Sequence, residues 1–108
     1  KDKVFFAHKI AGREGWIDEA VDALNDNVYI TLDLDVFDSS IMPSTGTPEP
    51  GGLDWYTVTR FLRTVTKRKN VVGFDICELA PGSDKAPDFL AAKLLYILLS
   101  YVFCERNT

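Results

Sequence analysis

The sequence predicts an α/β fold: three layers, α/β/α, around a parallel sheet. Three observations predict it. Short apolar runs alternate with segments of helical periodicity, in the order strand, helix, strand, loop, helix, strand, helix. Strands that alternate with helices imply parallel pairing and right-handed crossovers. The run 28–34 is apolar on both faces, which marks a central strand covered by helices. The chain has 108 residues and is 46% hydrophobic. That suits one globular domain, or part of a larger one, over residues 1–108.

Each element has its own signal. Val4-Phe5-Phe6-Ala7 reads as a short buried strand. Ile17, Ala20, Val21 and Leu24 recur at the spacing of an amphipathic helix, which Asn25-Asp26-Asn27 ends. Residues 28–34 form the second strand. Across 36–53, Pro43, Pro48 and Pro50 with Gly46, Gly51 and Gly52 exclude regular structure. A loop this long inside a compact domain is usually functional. Asp54 is placed to cap the next helix, whose apolar stripe is Trp55, Val58, Phe61, Leu62 and Val65. Residues 71–76 make a third strand, and Pro81-Gly82 break the chain after it. Pro87 suits the first turn of a final helix running to about Cys104.

Composition excludes some functions. Net charge is −4 and no long Lys/Arg stripe exists, so no nucleic-acid partner is expected. Lys67-Arg68-Lys69 reads as a solvated helix end. The apolar stretch 89–103 contains Lys93 and is shorter than the ~20 residues that span a bilayer. It reads as a buried helix, and no membrane partner is expected. Cys77 and Cys104 form no CxxC and have no nearby histidine. They read as buried or half-buried free thiols, and with no visible secretory signal they suggest a cytoplasmic protein.

The chemistry concentrates at strand ends. In an extended strand alternate side chains share a side, so Asp33 and Asp35 present two carboxylates together. Like charges this close need a cation between them, or a proton on one. Two hard oxygen ligands suit a metal, and one carboxylate can bridge two ions. The alternative is a pair that caps loop N–H groups. Glu78 closes the next strand, and ligands in parallel sheets bind beyond the strands' carboxyl ends. Its carboxylate can accept paired hydrogen bonds from a planar guanidinium, or pair with an arginine or cap the next helix. Thr47 brings a hydroxyl to the stiff loop, to orient a substrate or water, or only to shape a turn. His8, the single histidine, lies on the first predicted strand and fits no ligand motif.

Two longer stretches carry a resemblance. Asp33-Leu34-Asp35-Val36-Phe37-Asp38, followed by Pro43-Ser44-Thr45-Gly46-Thr47-Pro48-Glu49-Pro50-Gly51-Gly52-Leu53, closely resembles the ureohydrolases: agmatinases, arginases and guanidino-acid hydrolases. Gly73-Phe74-Asp75-Ile76-Cys77-Glu78-Leu79-Ala80-Pro81 resembles their next signature. The resemblance runs through most of the chain. It implies the C-terminal part of one ureohydrolase domain, an incomplete part of the arginase-like fold.

The resemblance also implies an activity: hydrolysis of a guanidinium group to urea and an amine, with two Mn2+ ions. Asp33 would bridge both ions and Asp35 would bind one. Thr47 and Glu78 would line the substrate pocket, with Glu78 holding the guanidinium. Asp33, Asp35 and Glu78 are thus the expected catalytic residues, and Asp38 and Asp75 would support the site. Ser39 stands where the family usually has proline. The family's upstream histidine and Asp-x-His ligands have no counterpart here, so the remaining ligands are expected upstream of this chain. Glu49-Pro50 within 45–52 looks more like agmatinases, which makes agmatine the leading small guanidino substrate. Arginase or guanidino-acid chemistry is the alternative, as is a fragment inactive alone. The family implies a homo-oligomer, a trimer or hexamer. Asp33-Leu34-Asp35-Val36 also satisfies the short motif of haloacid-dehalogenase-like phosphatases, but those enzymes do not require the loop that follows.

Overall fold

The structure, a computed structural model, describes residues 4–104. Its elements are α1 (Ala7–Ile10), α2 (Gly15–Asp22), β1 (Asn27–Asp33), a 3-10 turn (Leu34–Val36), α3 (Trp55–Arg68), β2 (Asn70–Cys77) and α4 (Ala86–Phe103). Asp54 starts α3 by accepting the Thr57 N–H at 2.7 Å. This satisfies one of the amide groups a helix start leaves free. Val58, Leu62 and Val65 follow at helical spacing and are all buried.

Helix α3 is the crossover between β1 and β2, which pair in parallel from Asn27 opposite Asn70 to Asp33 opposite Cys77. The register shifts once, between Val28 and Tyr29, where Val72 is left over on β2. An extra residue of this kind bends a strand and frees it from the ladder. Tyr29 then lies across Gly73, where a Cβ would come within 2.8 Å of the Tyr29 ring.

One face of this sheet carries Ile30, Leu32, Phe74 and Ile76 into a core with Trp16, Ile17 and Val21 of α2 and the buried stripe of α3. Leu94, Leu98 and Val102 of α4 close the same core. Helix α3 contacts α2, α4 and β2. Arg60 pairs with Glu14 at 2.6 Å, and Arg68 pairs with Asp18 and Asp22, so exposed ion pairs stitch α2 to α3. Such pairs contribute little on a wet surface.

The parallel α/β arrangement is as expected. Among the described residues helices cover one face of the sheet. The other face bears Tyr29, Thr31 and Asp75, so β1 is not apolar on both sides.

Other expectations need correction. Residues 4–6 form no strand, and Ala7 already belongs to α1. An apolar run becomes a strand only beside a partner, and the described sheet has order β1-β2 with no third strand. Instead the Phe6 carbonyl accepts the N–H groups of Lys9 and Ile10 and starts a helical turn. His8 is therefore exposed on α1, its ring stacked 5.9 Å from that of Phe6. Cys77 and Cys104 are free and exposed rather than buried, because each sits at the last turn or end of its element.

Helix α4 is buried on one side only. Phe89, Tyr96 and Phe103, seven residues apart, are 74%, 75% and 67% exposed. Among the described residues it is the one helix long and apolar enough to cross a membrane, by length and composition. Its apolar residues run all round, and among the described residues Leu94, Leu98 and Val102 are the buried stripe, against α3.

Candidate functional site

Strand β1 stops at Asp33 for a local reason. The Asp33 carboxylate accepts the Asp35 N–H at 3.1 Å and folds the chain into the 3-10 turn. Short carboxylate side chains do this readily, competing with the ladder for the backbone. Asp33 and Asp35 are therefore not alternate residues of one extended strand. They meet across a turn. Partial loss of hydration raises the Asp33 carboxyl above its ordinary value. The Asp35 N–H opposes that rise, and the Asp35 carboxylate adds to it. Such a pair is relieved by a cation or a proton.

The long loop reaches the same place. Thr47 Oγ1 donates to Asp35 Oδ2 at 3.1 Å, joining residues twelve apart in the chain. The loop is closed at its base, where Phe37 bridges Leu53. Asp38 N–H donates to the Leu53 carbonyl at 2.9 Å, and Leu53 N–H to that of Val36 at 2.9 Å. Phe37 and Met42 anchor the floor of the loop in the core. The Asp38 carboxylate accepts the N–H groups of Gly51, Gly52 and Ser40 and the Ser40 hydroxyl. These donors hold its carboxyl down at about 2. On the far side, Ala80 N–H donates to the Ser44 carbonyl at 2.7 Å. The loop thus spans the ends of both strands.

Glu78 follows Cys77, the residue paired with Asp33, and so stands one position beyond the sheet. Its backbone is left-handed, with φ of 74°. For a residue with a Cβ that conformation costs ~1 kcal/mol or more, and such strain tends to collect at functional positions. Asp75 is held on the open sheet face by Tyr29 Oη at 3.0 Å and Thr31 Oγ1 at 2.8 Å. The bond to Asp75 raises the Tyr29 phenol.

Cys77 is the site neighbour that residue-type reasoning passed over. Its thiol is pushed up by lost hydration, then by the charges of Asp33, Asp75, Glu78 and Asp35. The charges of all four carboxylates thus reach this one thiol. A thiol held protonated among them is a poor nucleophile. The only advance signal was its place next to Glu78.

Asp33 and Asp35 fit a hard divalent cation as part of a donor set. They do not complete one: among the described residues no group of three or more His, Cys, Asp and Glu could hold an ion. Nor do they line the polar cavity near α2. That one, about 510 Å³, lies against Arg13, Glu14, Asp54 and Arg60. Asp33 borders a cavity of about 350 Å³ with Ile30 and Phe61. Asp35 borders another of about 290 Å³ with Glu49 and Phe5.

Comparison with known proteins places this arrangement. The profile of the arginase family matches residues 2–100. The N(1)-aminopropylagmatine ureohydrolase of Synechocystis sp. is 43% identical over 100 residues, 91% of this chain and 33% of that protein. The agmatinase of Pyrococcus horikoshii is 44% identical over 82 residues, 75% of this chain and 29% of that protein. Among solved structures, proclavaminate amidino hydrolase from Streptomyces clavuligerus superposes with a TM-score of 0.82 at 31% identity. That match covers 92% of this chain and 34% of the other. This chain spans about a third of the length of the relatives it matches. Because the family profile runs through nearly all of it and the same fold recurs in the solved relatives, the chain belongs to the arginase family.

Proposed function

We propose that this chain carries the C-terminal part of a site that hydrolyses a guanidinium group to urea and an amine. The observation that carries the reading is the Thr47–Asp35 hydrogen bond of 3.1 Å, which joins the glycine-rich loop to the carboxylate pair. Asp33 and Asp35 would hold two Mn2+ ions, with the remaining ligands supplied from outside this chain. When bound, the ions supply Lewis-acid charge where the reacting water and guanidinium meet. Carboxylate donors suit Mn2+ and Mg2+ alike, and the family resemblance favours Mn2+.

The chain's own residues have distinct tasks. Thr47 restrains rotation of the Asp35 carboxylate by engaging one of its oxygens. Glu78 accepts paired hydrogen bonds from the guanidinium N–H groups, whose planar fork matches a carboxylate. Its anionic charge also favours a cationic substrate over the neutral urea product. Asp75, tied to Tyr29 and Thr31, keeps the two strand ends in register.

The substrate class is a linear alkylguanidine of the agmatine type. The agmatinase relative at 44% identity supports agmatine itself. A second reading, agmatine extended by an aminopropyl group, is favoured by relatives at 43% and 47% identity that are named for that substrate. A cytoplasmic homo-oligomer, trimer or hexamer, completes the reading on the family resemblance.

The test uses the protein expressed from its full reading frame and loaded with Mn2+. Urea and putrescine should appear in equal amounts from agmatine. Asp33→Asn should remove both bound metal and urea release. Glu78→Gln should raise KM and leave metal content intact. Failure of the full protein to release urea from agmatine, aminopropylagmatine or arginine overturns the reading. Urea release from the pure 108-residue chain would overturn the need for ligands from outside it.

A further inference from the structure

We infer that Asp38 is a positioning residue, which clamps the two ends of the loop 36–53 together so that Thr47 is held against Asp35. An ionised carboxylate has about four lone-pair sites. Asp38 fills them all inside the loop. Oδ1 accepts Gly51 N–H at 2.7 Å and Gly52 N–H at 3.2 Å. Oδ2 accepts the Ser40 N–H at 2.9 Å and the Ser40 hydroxyl. One oxygen therefore grips the loop's far end and the other its own turn. Its main chain is engaged too: the N–H donates to Leu53, and the carbonyl accepts from Ile41 and Met42. A carboxylate so occupied is not available as a metal ligand, unlike Asp33 and Asp35.

The approach is close enough to dictate a residue. A Cβ on Gly52 would lie 2.5 Å from Asp38 N and 2.8 Å from its Cα. Only glycine lets the loop's end reach the clamp. Between the clamped ends the chain 43–50 has no helix or strand to hold it. Thr47 owes its place to the bonds at those ends, to Glu49, whose carbonyl accepts the Ser39 N–H at 3.1 Å, and to Ser44, which receives the Ala80 N–H. Low basicity keeps the clamp ionised at every ordinary pH.

Two measurements on the full-length protein test this. Only the kinetic one rests on the guanidine-hydrolase reading. In metal-free protein, Asp38→Ala should speed amide hydrogen exchange at Gly51 and Gly52 by about tenfold or more. Exchange in β1 and β2 should not change. In the Mn2+-loaded protein, Asp38→Ala should lower kcat by about 100-fold, the scale of a misplaced site group. Thr47→Val should lower it too, and the double variant should be no worse than the worse single. Additive losses would mean that Asp38 does not act through Thr47, and would overturn the inference. So would wild-type exchange rates in Asp38→Ala. Should Asp38→Ala fail to fold, Asp38→Asn retains one acceptor oxygen and takes its place, with intermediate exchange and intermediate kcat expected. Should the wild-type protein hydrolyse no guanidine, the functional reading falls, and the exchange rates alone decide the clamp.

Discussion

The loop 36–53 and helix α4 are opposites in what they leave unsatisfied. The loop has almost no repeating structure, yet hydrogen bonds between its own residues, thirteen and fourteen apart in the chain, close its base. Asp38, Ser40, Gly51, Gly52 and Leu53 satisfy one another. Helix α4 closes its own backbone hydrogen bonds along 18 residues. Its side chains are the problem: Leu94, Leu98 and Val102 are buried, while Phe89, Tyr96 and Phe103 face outward. The difference teaches that a loop can close hydrogen bonds among its own residues, whereas a helix with apolar side chains all round needs a surface supplied from elsewhere.

The comparison is broken most severely at the buried side of α4. Leu98→Ala should cost about 2–5 kcal/mol, because Leu98 is fully buried and a cavity would remain. Urea unfolding would show this as a lower midpoint at unchanged slope. In the loop, Gly52→Ala should cost about 1–3 kcal/mol, since its Cβ would land on Asp38. A midpoint equal to wild type would mean that the loop shifts freely and is not pinned.

At the loop's exit, Asp54→Ala removes the cap of α3 and should cost about 1 kcal/mol. Thermal melting measures it. Acid should also loosen the loop. Asp38 is depressed from 3.8 to about 2 in the folded chain. Its stabilisation is therefore complete above its unfolded value and is lost as pH falls through about 2. Wild type should lead Asp38→Asn in melting temperature above about pH 4, and the gap should close by about pH 2. A gap that is constant with pH would exclude the carboxylate as its source. The smallest effect belongs to the outer side of α4. Tyr96→Ser should stay within about 0.5 kcal/mol if that side is open as described. A loss well above 1 kcal/mol would reveal that in the working protein something covers it.

Legibility in the sequence follows the same division. The helices α2 and α3 and both strands were readable from local periodicity and apolar runs, and α4 from its long apolar run behind Pro87. The gathering of Asp33, Asp35, Thr47 and Glu78 at two strand ends was also foreseeable from the rule for parallel sheets. Three things were not. Val4-Phe5-Phe6-Ala7 has a strand's composition, but no described partner lies beside it. Asp33 and Asp35 looked like alternate strand residues until the Asp35 N–H turned back to Asp33. Cys77 read as a buried or half-buried thiol, and it stands exposed, its thiol raised by the charges of four carboxylates.

By itself, then, the sequence determined α2, α3, α4 and the two strands, their parallel order, the polar loop with its glycines, and the family. Those depend on short-range periodicity, turn chemistry and motif, all encoded within neighbouring residues. Only the tertiary structure decided that Thr47 meets Asp35, that Asp38 ties Ser40 to Gly51 and Gly52, and that one face of the sheet and one side of α4 stay open. These are contacts between residues far apart in the chain, and their free energy depends on which surfaces meet. No local pattern carries that information.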